Sequence, residues 1–397
     1  MATDFSRRQF LQYSGAAAIG SMAITLGVDD VAQAMALRPL QVGTPILVTV
    51  TLYGGNDGLN TVVPYEDPIY IASRPAISLS ASQVLPLGNG LGLNGSMTAM
   101  KALWDAKKLA VVLGVGYPQP NHSHFSSMAI WQTASPLEPV SSGWIGRWLD
   151  DQTHDPMRAI GIGSVLTPLL AGNRQVGSML PTGGFIVPSG NFATQVQQLA
   201  QVPSSEPPLV VDAGAAISDL FQVANAAAPV LKGLVNTSNV LANQLGIVAS
   251  LINANVPTRV WSVTLDGFDT HADEVGQQSN LLGELSDAVA GFLGQLSAER
   301  ANDVVVMVYS EFGRRVVANA SKGTDHGTAG PVFVAGNRVI GGFYGEQPSL
   351  SQLVSGDLAV TTDFRDVYAS MLYDVLSADP MRVMGGWPTR LKLIQPV

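Results

Sequence analysis

A chain of 397 residues with 46% hydrophobic and 13% charged side chains can bury a large core and does not have the make-up of a disordered segment. Its net charge of -9, with no basic stripe, argues against a nucleic-acid partner and against charge-driven binding to anionic lipid. It has no cysteine, which excludes disulfides, thiolate nucleophiles, zinc–thiolate clusters and iron–sulfur ligation.

The first element is an address. Ser6-Arg7-Arg8-Gln9-Phe10-Leu11 precedes an apolar stretch from Ala16 to Val28, and Ala32-Gln33-Ala34 offers a small-residue cleavage site. Adjacent arginines at that place make this a twin-arginine signal, with a surface helix that happens to start on two arginines as the plainer alternative. The export reading predicts contact with the twin-arginine machinery, cleavage after Ala34, and a periplasmic or secreted product. Residues 35–397 read as a single α/β domain with insertions, and no later segment reads as a membrane span.

Within that domain, Ile46–Leu52 is a β-branched run that empties into the glycine-bounded turn Gly54-Gly55-Asn56-Asp57-Gly58. A helix is predicted over Met97–Lys107, a buried strand over Leu109–Val115, a loop through His122-Ser123-His124, and a helix over Ser126–Thr133. Residues 143–192 are broken by Gly and Pro. The alanine- and leucine-rich stretch Ala215–Asn253 predicts one or two buried helices. Thr258–Leu265 and Val304–Tyr309 read as strands, and Leu281, Leu285, Val289, Phe292 and Leu296 mark an amphipathic helix between them. That is a βαβ unit, and it implies a parallel sheet covered on both faces. Pro331–Ala335 predicts a further strand and Asp363–Ser377 a closing helix.

Ligands of such sheets bind beyond the carboxyl ends of the strands. Asp57, Asp269, His271 and Glu311 all follow predicted strands there, and His326 lies between glycines in Gly323-Thr324-Asp325-His326-Gly327. Mixed imidazole and carboxylate donors suit a divalent ion, whether zinc, manganese, magnesium or calcium. Plainer roles exist for each residue. Asp57 suits a turn or a helix cap, Glu311 a partner for Arg314 or Arg315, and a single histidine a bond to a backbone carbonyl. Ser123 reads either as a nucleophile or as a cap of the helix that follows. Arg314 reads as a bidentate holder of an anionic substrate or as an ordinary arginine.

Taken together, the twin-arginine start, Gly54-Gly55-Asn56-Asp57-Gly58-Leu59-Asn60, His124-Phe125-Ser126-Ser127-Met128, Gly267-Phe268-Asp269-Thr270-His271, Ser310-Glu311-Phe312-Gly313-Arg314 and Gly323-Thr324-Asp325-His326-Gly327 resemble the exported DUF1501 family. That family is similar to the alkaline phosphatase and sulfatase superfamily. The resemblance implies an alkaline phosphatase-like three-layer fold, with a central mostly parallel sheet flanked by helices. It also implies phosphate or sulfate ester substrates and a two-metal site. Asp57 then looks like the first carboxylate, Asp269 with His271 like an Asp/His pair, and His326 like the last metal histidine. Glu311-Phe312 occupies the place of an adjacent Asp-His pair, and Ser123 is the match to the nucleophile. Phe312 cannot ligate, so a second ion would retain mainly Asp57 and Glu311. The function this predicts is an exported metal-dependent hydrolase of phosphate or related anionic esters. The alternative is a secreted binding or assembly protein that keeps the fold without the catalysis.

Overall fold

The computed structural model describes residues 39–137, 140–183, 190–231 and 236–396; the signal expected over residues 1–34 lies outside them. In chain order the strands are β1 (Ile46–Leu52), β2 (Val62–Val63), β3 (Val84–Gly88), β4 (Leu91–Asn94), β5 (Leu109–Gly116), β6 (Ala159–Ile162) and β7 (Ser178–Leu180). They continue with β8 (Val260–Leu265), β9 (Val304–Ser310), β10 (Arg314–Ala318), β11 (Thr324–His326), β12 (Gly330–Ala335), β13 (Gly342–Tyr344) and β14 (Thr362–Asp363).

A nine-stranded sheet runs in the order β13-β5-β12-β9-β1-β8-β6-β7, and β14 pairs with the end of β5. β1 lies at its centre, parallel to β8 with Leu47 opposite Val260, and parallel to β9 with Ile46 opposite Val304. Its seven residues are all buried, Thr49 and Thr51 included, as a strand of a parallel sheet covered on both faces requires. The expected βαβ unit is present, but β1 lies between its two strands. β12 is antiparallel to both β9 and β5, the one reversed strand of this sheet. A three-stranded sheet β2-β4-β3 and the hairpin β10-β11 were not foreseen.

Alternation along β1 sends Ile46, Val48, Val50 and Leu52 to one core and Leu47 to the other. The first core packs against helices Thr98–Asp105, Val240–Asn253 and Glu274–Gln295 through residues such as Met100, Leu245 and Leu285. The second packs against helices His124–Thr133, Trp144–Asp150 and Phe364–Ser370 through Trp131, Trp144 and Tyr368. Trp144 stacks on Tyr368 with ring centroids 4.5 Å apart, and each fully buried aromatic or Leu side chain stabilises the fold by about 1.5–3 kcal/mol. The result is the expected α/β fold, a mostly parallel sheet with helices on both faces.

Two helix predictions change in detail. The Ala215–Asn253 stretch becomes parts of two helices, Pro208–Leu231 and Val240–Asn253, the second capped by the Asn239 side chain. The closing helix stops at Ser370 and continues as one π-helical turn over Met371–Val375. Among the described residues no helix is long and apolar enough to cross a membrane.

Candidate metal centre

At the carboxyl edge of the sheet, β1 leads to Gly54-Gly55, β8 to Asp269 and His271, β9 to Glu311 and Phe312, and β5 to the loop before His124. Because β12 is reversed, the segment preceding it arrives at this edge, and that segment carries His326. Close packing of these loops depends on Gly54. Its φ is +116°, and a Cβ there would stand 2.4 Å from the Asp269 backbone nitrogen.

Asp269 Oδ1 lies at the middle of a ring of imidazoles. It is 3.0 Å from His271 Nε2, 3.2 Å from His326 Nε2 and 3.4 Å from His124 Nε2. His271 Nε2 and His326 Nε2 are 2.9 Å apart, and two ring nitrogens that close need a proton or a metal cation between them. The opposite ring atoms show which nitrogens carry lone pairs. His326 Nδ1 lies 2.7 Å from the His122 carbonyl oxygen. That oxygen can only accept, so Nδ1 donates and the neutral ring turns a bare Nε2 to the cluster.

His124 is held the same way, with Nδ1 donating to Glu311 Oε1 at 2.8 Å. Its Nε2 is buried with no hydrogen-bond partner among the described residues, a state that a cation would relieve. His124, Asp269 and His326 offer ligand atoms within 4.8 Å of one another, with His271 Nε2 beside two of them. Imidazoles with one carboxylate fit zinc, manganese or iron better than calcium or magnesium.

The electrostatics agree with that fit. Burial opposes ionisation of Asp269, but the hydrogen bond and charge of Arg314, helped by His326 and His271, hold its pKa at about 2. Burial is the main cause that pushes His326 below the ordinary histidine value, with Arg314 and His124 acting in the same direction and the His122 carbonyl and the nearby Asp269 carboxylate opposing it. Both groups are thus kept in the forms that ligate a metal, an ionised carboxylate and a neutral ring.

Asp269, His271 and His326 therefore meet as the sequence leads one to expect, and the remaining predicted residues do other work. Asp57 does not join them. It is fully buried in an ion pair with Arg74, whose Nη1 takes Oδ2 and whose Nη2 lies 3.1 Å from Oδ1. Oδ1 also caps the helix Gly58–Thr61 through Leu59 N–H. Glu311 stands behind His124 instead of facing the cluster, with Oε1 accepting from Gly54 N–H at 2.9 Å and Oε2 from the Ser310 hydroxyl at 2.9 Å. Outer carboxylates of this kind fix the ring and tautomer of a ligating histidine.

Arg314 is not free to hold a substrate. It donates to the carbonyl oxygens of Gly54, Gly55, Phe268 and Thr324 and, at 2.6 Å, to Asp269 Oδ1. Ser123 precedes the helix His124–Thr133, is exposed, and makes no side-chain cap bond. Phe312, read from the sequence as unable to ligate, packs its ring 4.9 Å from that of His124 and 5.0 Å from that of His326, a hydrocarbon wall beside both.

Sequence reasoning missed His124 as a donor. The His122-Ser123-His124 pair was the available signal, yet only the start of the helix at His124 decides which ring turns inward. His122 turns away, with Nε2 at 2.8 Å from Asp357.

Residues 209–390 match the family model described as "Protein of unknown function (DUF1501)". The matched stretch is just under half of the chain. Asp269, His271, Glu311, Arg314 and His326 fall inside it, whereas Asp57 and His124 precede it. No curated protein sequence matches the chain. Similar solved structures include a protein in the alkaline phosphatase superfamily from Vibrio parahaemolyticus, 9% identical over 95% of this chain and 78% of that one, with a TM-score of 0.40. The zinc complex of the C-terminal periplasmic domain of EcEptC from Escherichia coli is 12% identical over 76% of this chain and 77% of its own, with a TM-score of 0.37. Phosphonoacetate hydrolase from Sinorhizobium meliloti 1021, in complex with phosphonoformate, is 12% identical over 74% of this chain and 60% of its own, with a TM-score of 0.30.

Proposed function

We propose that this protein is a metal-dependent hydrolase of phosphate or related anionic esters. The observation that carries the reading is the buried, unpartnered His124 Nε2 beside Asp269 Oδ1 and the bare Nε2 of His326. A divalent ion held by His124, His271, His326 and Asp269 would supply Lewis-acid polarisation of an ester oxygen. Glu311 keeps His124 in the ligating tautomer, the His122 carbonyl does the same for His326, and Arg314 holds Asp269 in place. Asp325, with Oδ1 3.4 Å from His271 Nδ1, supports the third ring. The attacking group is water or the Ser123 hydroxyl, which stands exposed one residue before His124.

Export by the twin-arginine route, to the periplasm or the medium, belongs to the same proposal and rests on Arg7-Arg8 and the apolar stretch behind them. So does a single domain over residues 35–397. The rival reading, a secreted binding protein that has lost catalysis, draws on Asp57 and Glu311 being engaged elsewhere.

Metal content decides first. The folded chain is expected to retain zinc or manganese after reloading and desalting, and His124→Ala and His326→Ala to lose it. Glu311→Gln should bind about 10–100-fold more weakly, the usual cost of an altered outer-shell partner. Turnover of phosphomonoesters or diesters by the loaded parent, absent in His326→Ala, supports hydrolysis, and Ser123→Ala then separates serine attack from water. Metal without turnover on any phosphate or sulfate ester favours the binding protein. A chain that retains no metal sinks the hydrolase reading.

A further inference from the structure

We infer that the centre takes one divalent ion and that the described residues offer no second metal position, an inference that rests on the metal reading above. The donors beside the cluster are already engaged. Both carboxylate oxygens of Asp57 are held by Arg74, and the two side chains are fully buried. That guanidinium is itself anchored, through Nε to the Val316 carbonyl at 2.9 Å and through Nη2 to the Arg315 carbonyl at 2.6 Å. Glu311 gives both oxygens to Gly54, His124 and Ser310. Freeing either carboxylate for a metal would strand a buried charge or a buried donor, a costly exchange.

The space is also taken. The Phe312 ring abuts the turn after β1 so closely that a Cβ on Gly55 would lie 2.2 Å from it, and the same ring packs on His124 and His326. Arg314 adds a fixed positive charge, with Nη2 on Asp269 Oδ1 at 2.6 Å and Nη1 at 3.4 Å from His271 Nε2. Its bonds to four backbone carbonyls prevent it from swinging aside. A second divalent ion sharing Asp269 would meet that guanidinium at close range, where like charges repel most strongly. Asp325 remains at the rim, with a side chain 59% exposed, and one exposed carboxylate makes no site.

Cobalt titration of the chelator-treated full chain tests this without relying on any variant. The visible bands of four-coordinate cobalt are expected to saturate at one equivalent, and elemental analysis after desalting to return one ion per chain. Asp57→Asn, if it folds, should keep that stoichiometry, while His326→Ala should lose the bands. Saturation at two equivalents in the parent, or loss of one of two ions in Asp57→Asn, overturns the single-ion inference and leaves the metal reading standing. The absence of saturable binding overturns both.

Discussion

Glu274 is the first residue of the helix Glu274–Gln295 and is fully buried. It receives hydrogen bonds from Asn60 Nδ2 at 3.0 Å and from the Thr324 hydroxyl at 2.7 Å. Burial first, and the neighbouring Asp57 charge second, push its pKa from 4.5 to about 9. Asp57 moves the other way: burial opposes, but Arg74 holds it below the usual carboxylate value. The folded protein therefore keeps a proton on Glu274 through neutral pH. A raised native pKa contributes stability that is complete below 4.5 and is lost as pH rises through about 9. Glu274→Gln mimics the protonated acid, so it should match the parent below about pH 4.5 and lose less Tm from there up to about pH 9. Equal losses in the two proteins would show that Glu274 does not hold its proton.

The turn after β1 belongs to the next scale. Gly54 places its carbonyl on Arg314 and its N–H on Glu311, so one residue ties the cation behind Asp269 to the carboxylate behind His124. Gly54→Ala would force a left-handed alanine against Asp269 N at 2.4 Å and Phe268 C at 2.8 Å, backbone atoms that cannot step aside. It should cost about 3 kcal/mol in urea unfolding and weaken metal binding. Gly43→Ala is the control, since its φ of +89° is also left-handed but nothing lies within 4 Å, and it should cost about 1 kcal/mol. Equal costs would mean that strain alone, and not the contact with the Asp269 loop, governs this turn. The strands on either side were legible because β1, β8 and β9 are apolar, β-branched runs whose burial needs no knowledge of partners. The β10–β11 hairpin was not, because Thr324–His326 is short and polar, and its pairing of His326 with Arg314 and Thr324 with Ala318 is broken by a shift in register. Nor does any local pattern announce Arg74 as the partner of Asp57. That match depends on the path of the chain between them, and it turned an expected ligand into half of an ion pair.

Across the whole molecule, the donors come from the start of one helix, the loop after β8 and the strand before β12, and they meet only when β5, β8, β9 and β12 are in register around β1. A ligand that binds only the native arrangement stabilises it by mass action, about 2.7 kcal/mol at a hundredfold excess over Kd. Zinc or manganese should therefore raise Tm by a few degrees, and the rise should vanish with EDTA and in His326→Ala. A parent that melts identically with and without metal would argue against a native-only site. The position of β1 has a consequence for synthesis. Both of its neighbours, Val260–Leu265 and Val304–Ser310, leave the ribosome long after it does. Until they follow, Ile46–Leu52 is a strand apolar but for Thr49 and Thr51, with both edges unpaired and open to wrong pairing with another chain. Productive folding of this protein therefore depends on shielding its first strand until its last long ones exist, a task suited to a holding chaperone acting early on the nascent chain.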